Sequence, residues 1–176
     1  MAYSLPDDHP LRRLFAGTVQ QVMYTDVGMC DPQLVDYVAD MLGQFIHMDE
    51  IYRFRNAGGK RLETLAAMVT ESELGEEATA EARDRTIHRH IGDFALFWTG
   101  LFPEGLGRAR LGMVDRLSHY VEQGKRSYAV ASELTVSERE KPPARVLQRL
   151  SERFEQCVYG LHLCRKEWDV LGRSAT

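Results

Sequence analysis

Three stretches of this chain place a histidine three residues before a carboxylate: His47 and Glu50, His90 and Asp93, His119 and Glu122. Residues three apart share a helix face, so each pair offers a nitrogen and an oxygen to one point in space. Glu155 and His162, seven residues apart, also share one helix. Helical bundles that hold two metal ions use this kind of donor set, drawn from facing helices, but in the order Glu-x-x-His. In the three pairs spaced three apart the order is reversed. At about 100° per residue, His47 and His119 project nearly opposite the apolar stripes of their helices, which predicts solvated side chains. Only His90 flanks an apolar face, and no metal site is assigned.

A second set breaks the hydrophobic pattern from within. Asp49 projects onto the apolar stripe one turn beyond Phe45 and Ile46, with Arg53 four residues on, toward the same side. Arg165 stands inside the stripe of the last helix, between Leu161 and Trp168. A carboxylate facing a core is strongly disfavoured unless paired, so Asp49 is predicted to be buried and ion-paired with Arg53 or Arg165. Two readings follow: a structural network that fixes helix docking, or a ligand pocket lined by Asp49, Arg53, Arg165, His90 and Trp98 in which an arginine holds an anion.

A third set is the basic turn formed by Arg53, Arg55, Lys60 and Arg61 around Gly58-Gly59. Backbone N–H groups at a helix start point outward and favour an anion, which makes Arg55, Lys60 and Arg61 candidate anion ligands. Gly58-Gly59-Lys60-Arg61-Leu62 resembles the short stretch that contacts diphosphate in isoprenyl diphosphate synthases, which are all-helical. The resemblance covers five residues. The aspartate-rich motifs that hold magnesium in those enzymes have no counterpart here, and the chain is shorter than that fold requires. The likeness is therefore read as coincidence.

Other chemistry is scarce. Asp84 and His88 form an i,i+4 pair read as a surface or capping contact. Cys157 and Cys164 lie about 10 Å apart along one helix, too far to bridge, and read as inert buried thiols. Cys30 precedes a helix start with no histidine beside it in sequence. No phosphate-binding loop, nucleophile elbow or dinucleotide fingerprint occurs, so the sequence names no cofactor and no catalytic residue.

The elements that carry these residues are punctuated by proline. The chain has 6 prolines, at the edges of periodic segments. A first helix is predicted after Pro10, with Leu11, Leu14, Phe15, Thr18, Val19 and Val22 inward. Asp31-Pro32 opens a second helix through about Arg55. A short third helix follows Gly59, and a fourth runs from about Glu76 to Phe102. Its segment Phe94-Ala95-Leu96-Phe97-Trp98 is apolar all round, which predicts a central position. A fifth runs from about Met113 to Leu134, and a sixth from Pro142-Pro143 to about Leu171. Of the glycines inside helices, only Gly124 falls on its stripe and predicts a close helix crossing.

No segment alternates with period two. The expected fold is therefore all-α: one domain over residues 1–176, an up-and-down bundle of about six helices with four long ones forming the core. A short extension (1–9) and a tail (172–176) flank it. The 44% hydrophobic and 27% charged composition is that of an ordinary globular chain. A formal net charge of −4 offers no general attraction for nucleic acid or anionic lipid. No apolar run approaches the ~18 residues of a membrane span, and 3 unpaired cysteines fit a cytoplasmic protein. The favoured expectation is a non-catalytic interaction module, with a partner protein or a homo-oligomer, supported by off-stripe Ile51, Phe54, Tyr159 and Leu163. The alternative is a small-ligand protein or enzyme. A polar cavity of some hundreds of Å³ would favour the second, a filled core the first.

Overall fold

The computed structural model describes residue 6 and residues 8–45, 65–73, 80–107, 113–137 and 139–174. Among them are seven α-helices and no strand: α1 (Pro10–Gln21), α2 (Pro32–Phe45), α3 (Leu65–Glu73), α4 (Ala80–Leu101), α5 (Met113–Glu133), α6 (Ala144–Glu152) and α7 (Phe154–Ser174). The all-α expectation holds.

Helix starts follow the local chemistry. The Leu11 N–H donates to His9 Nδ1 at 3.2 Å, and Pro10 occupies the first turn of α1, where its missing donor is no loss. Asp31 caps α2 by accepting the Leu34 N–H at 3.3 Å. Its other carboxylate oxygen meets Arg149 Nε at 3.1 Å, so the cap also ties α2 to α6.

Helix α4 packs against α3, α5 and α7, as its apolar circumference predicts. Ile91, Ala95 and Leu96 are fully buried, and Phe94 and Phe97 nearly so. Helix α5 lies against α6, and α1 lies against α2.

Four features differ from the sequence reading. Helix α1 runs into a π-helical turn, Val22–Val27, closed by Gly28 at φ 74°. The wider turn sets Met23 and Val27 over Gly160 of α7. Leu11 and Leu14, expected inward, are 42% and 41% exposed, and α1 buries its face only from Phe15 onward. The predicted sixth helix is two: the chain breaks at Arg153 (φ −111°, ψ 24°), where neither proline nor glycine marks it. Gly124 is not alone at a crossing, because a methyl group on Gly92, Gly100 or Gly160 would also meet a neighbouring side chain within 3 Å.

Candidate functional site

One face of α2 carries Gln33, Asp36 and Tyr37, Asp40 and Met41, then Gln44, a turn apart each time. Opposite stand Arg89 and Asp93 of α4, the connector residues Lys141, Pro142 and Pro143, and Val146 of α6. Between them lies a cavity of about 350 Å³.

Asp93 is 5% exposed, and two phenols hold it. Tyr37 Oη donates to Asp93 Oδ1 at 2.6 Å, and Tyr128 Oη donates to the same oxygen at 2.7 Å. Three helices thereby meet at one carboxylate atom. Hydrogen bonds to a charged acceptor are short and strong, which is how a carboxylate is retained in this setting. Burial, then the charge of Asp93, pushes the Tyr128 phenol well above its ordinary range, so it stays a donor.

Arg89 lies four residues before Asp93, on the same face. Burial works against its charge, but the fields of Tyr37 and Asp93 more than offset this, and its pKa is raised. Its Nη1 reaches the Lys141 carbonyl at 3.5 Å, while its Nε is buried without a hydrogen-bond partner. A buried guanidinium nitrogen with an unmet bond is rare in folded proteins. One turn earlier, Arg85 holds the connector: Nε donates to Thr135 Oγ1 at 2.7 Å and Nη2 to the Pro142 carbonyl at 2.8 Å, with Glu140 2.9 Å from Nε. Burial lowers its pKa. Arg85 and Arg89 together fix the cavity edge formed by residues 141–143.

Of the pocket residues predicted from sequence, the structure describes His90, Trp98 and Arg165. Asp49, Arg53, Arg55, Lys60 and Arg61 lie outside the described residues, as does the predicted Asp49–Arg53 pair. His90 is 1% exposed and sits among aromatic rings, 5.6 Å from Phe45 and 6.4 Å from Phe94. Trp98, two turns along α4, borders a shallow hollow with Phe97, Phe102, Glu104 and Gly105.

Arg165 belongs to the end of α4. Its Nη1 donates to the Leu101 carbonyl and meets Glu104 Oε1 at 2.6 Å, and its guanidinium lies 5.0 Å from the Phe102 ring centroid. Glu104 is held below its ordinary pKa by its own backbone hydrogen bond and by Arg165. The level of Arg165 is thus about 16 Å from His90 along α4, and the two do not share a pocket.

Among the described residues no three His, Cys, Asp or Glu side chains converge as metal ligands. His119 and Glu122 are exposed, as their phase predicts. Cys157 and Cys164 are fully buried, and burial pushes each thiol up to about 12.

Sequence reasoning missed the role of Arg89 and Tyr37 and read Asp93 only as a metal donor. A signal was present. Arg89 and Asp93 stand four residues apart, on one face of the helix whose following turns are apolar all round, where ionisable residues need a reason. Compared with protein-family models, with curated proteins and with solved structures, the chain matches none.

Proposed function

We propose that this protein binds a small polar molecule in the cavity between α2, α4 and residues 141–146. One observation carries the reading: a volume of about 350 Å³ whose lining brings Arg89 beside a carboxylate fixed by two tyrosines. Ligand sites are concave, few per protein, and combine an apolar floor with a few convergent polar groups. Met41, Pro142 and Val146 supply the floor here. A filled core would have favoured a purely structural bundle, and the arginine that suggested an anion site, Arg165, is engaged in capping a helix.

The test is a thermal-shift screen of small polar metabolites. A ligand at about a hundred times its Kd stabilises the native state by about 2.7 kcal/mol, so Tm rises. The expected hit raises Tm of the wild type and not of Gln44→Trp, which fills the cavity from an exposed lining position. Equal shifts in both proteins place the ligand elsewhere and overturn the reading.

A second reading, an interaction or self-associating module, draws on Leu11, Leu14, Val170 and Leu171, which are 42%, 41%, 59% and 53% exposed. They lie on α1 and α7, helices joined by the Phe15–Trp168 contact at 5.0 Å. Apolar residues gathered on a surface mark interfaces. Sedimentation velocity showing a concentration-dependent dimer, dissolved by Leu14→Glu, would support it; a monomer at all concentrations would not. The net charge of −4 supports a partner other than nucleic acid, and no described helix is long and apolar enough to cross a membrane.

A further inference from the structure

The cavity is bipolar, and its poles specify a ligand. The α2 wall presents Asp36 and Asp40, while the opposite wall presents Arg89 and the exposed Lys141. Asp40 is compensated, being bonded to Arg12 at 2.8 Å. Asp36 makes no ion pair among the described residues; its carboxylate meets the Gln20 amide at 3.4 Å. The charged lining groups that make no ion pair among the described residues are therefore one carboxylate, Asp36, on one wall and two cations, Arg89 and Lys141, on the other.

A simple anion drawn to Arg89 would face Asp36, Asp40 and Asp93, and a simple cation drawn to Asp36 would face Arg89 and Lys141. Like charges at short range disfavour each of these. A molecule with one charge of each sign satisfies both walls. Met41, Pro142, Pro143 and Val146 leave an apolar stretch between the poles for an uncharged side chain. We infer that the cavity binds an amino-acid zwitterion, its carboxylate toward Arg89 and Lys141, its ammonium toward Asp36. This rests on the reading of the cavity as a ligand site.

The experiment is isothermal titration calorimetry of the full chain with the proteinogenic L-amino acids. The tightest binder is then compared with the acid lacking its amino group and the amine lacking its carboxylate. The zwitterion should bind about tenfold or more tighter than either half, since each loses a charge-assisted contact. Asp36→Asn should bring the zwitterion down to the affinity of the acid, and Arg89→Gln down to that of the amine. Should Arg89→Gln fail to fold by circular dichroism, Lys141→Gln reports on the same pole from an exposed position.

An acid that binds as tightly as the zwitterion overturns the inference and leaves an anion site; an amine that does so leaves a cation site. If no amino acid binds while another compound shifts the wild type and not Gln44→Trp, the inference fails and the ligand-binding reading stands. If no compound of any class discriminates those two proteins, both fail.

Discussion

At Gly92 of α4, a methyl group would lie 2.6 Å from the ring of Tyr128, and at Gly124 of α5 one would lie 2.5 Å from Phe154 and 2.9 Å from Ala95. These glycines let α4, α5 and α7 approach closely enough for Tyr128 to reach Asp93. Gly92→Ala and Gly124→Ala are expected to destabilise the fold by about 1–3 kcal/mol, the range of core overpacking. Gly17, exposed on α1 with open space around it, should behave oppositely. There alanine gains up to about 1 kcal/mol from helix propensity alone. Urea denaturation of the three variants checks this, and a Gly92→Ala protein as stable as wild type would remove the close approach from the account of the site. Phase analysis singled out Gly124 because it treats each helix against one stripe. A helix buried on several sides has several faces, and Gly92 and Gly100 lie on others.

At the scale of elements, Arg165 shows how an inward charge is accommodated without a pocket. It bonds the Leu101 carbonyl at the C-terminus of α4 and pairs with Glu104 in the turn that follows. Cations favour helix C-termini, where carbonyls lack intrahelical partners. Arg165→Met keeps the aliphatic bulk and removes both bonds, and should cost about 1–2 kcal/mol. Denaturation midpoints read the loss, and hydrogen exchange should localise it to the last turn of α4. Uniform exchange changes across α4 would contradict a capping role. The break at Arg153 belongs to the same scale. Phe154 is fully buried against Gly124 and Tyr128, and the change of direction between α6 and α7 allows that placement.

Across the whole molecule, burial of acidic groups ties stability to alkaline pH. Burial raises Cys157 and Cys164 from the usual 9.0 to about 12, and raises Tyr128 well above the usual 10.0. In the unfolded chain these groups ionise near their ordinary values, so above about pH 9 the unfolded state binds fewer protons than the native one. Their stabilising effect is complete below that pH and is lost progressively as pH rises toward 12. The denaturation midpoint is expected to fall from about pH 9 upward, and less steeply in the Cys157→Ala, Cys164→Ala double variant. A flat midpoint to about pH 10.5 would mean these thiols are wet in solution.

Local chemistry determined the all-α class, the starts of α1 and α2, and the central place of α4. Proline, capping aspartate and apolar periodicity act within a few residues, so each is complete in the sequence. The burial of the two thiols near the C-terminus was legible for the same reason. The site was not. Tyr37, Asp93 and Tyr128 are 56 and 35 residues apart in their pairs, and only the packing of three helices brings their oxygens together. Nor does the sequence show that the bonds of Arg165 end at a helix terminus while Arg89 lines the cavity. Only Arg165 reads from sequence as a cation on an apolar face, and what each arginine meets across the interface is decided by helix crossings. Those are set by many small contacts at once, none of which has a local signature.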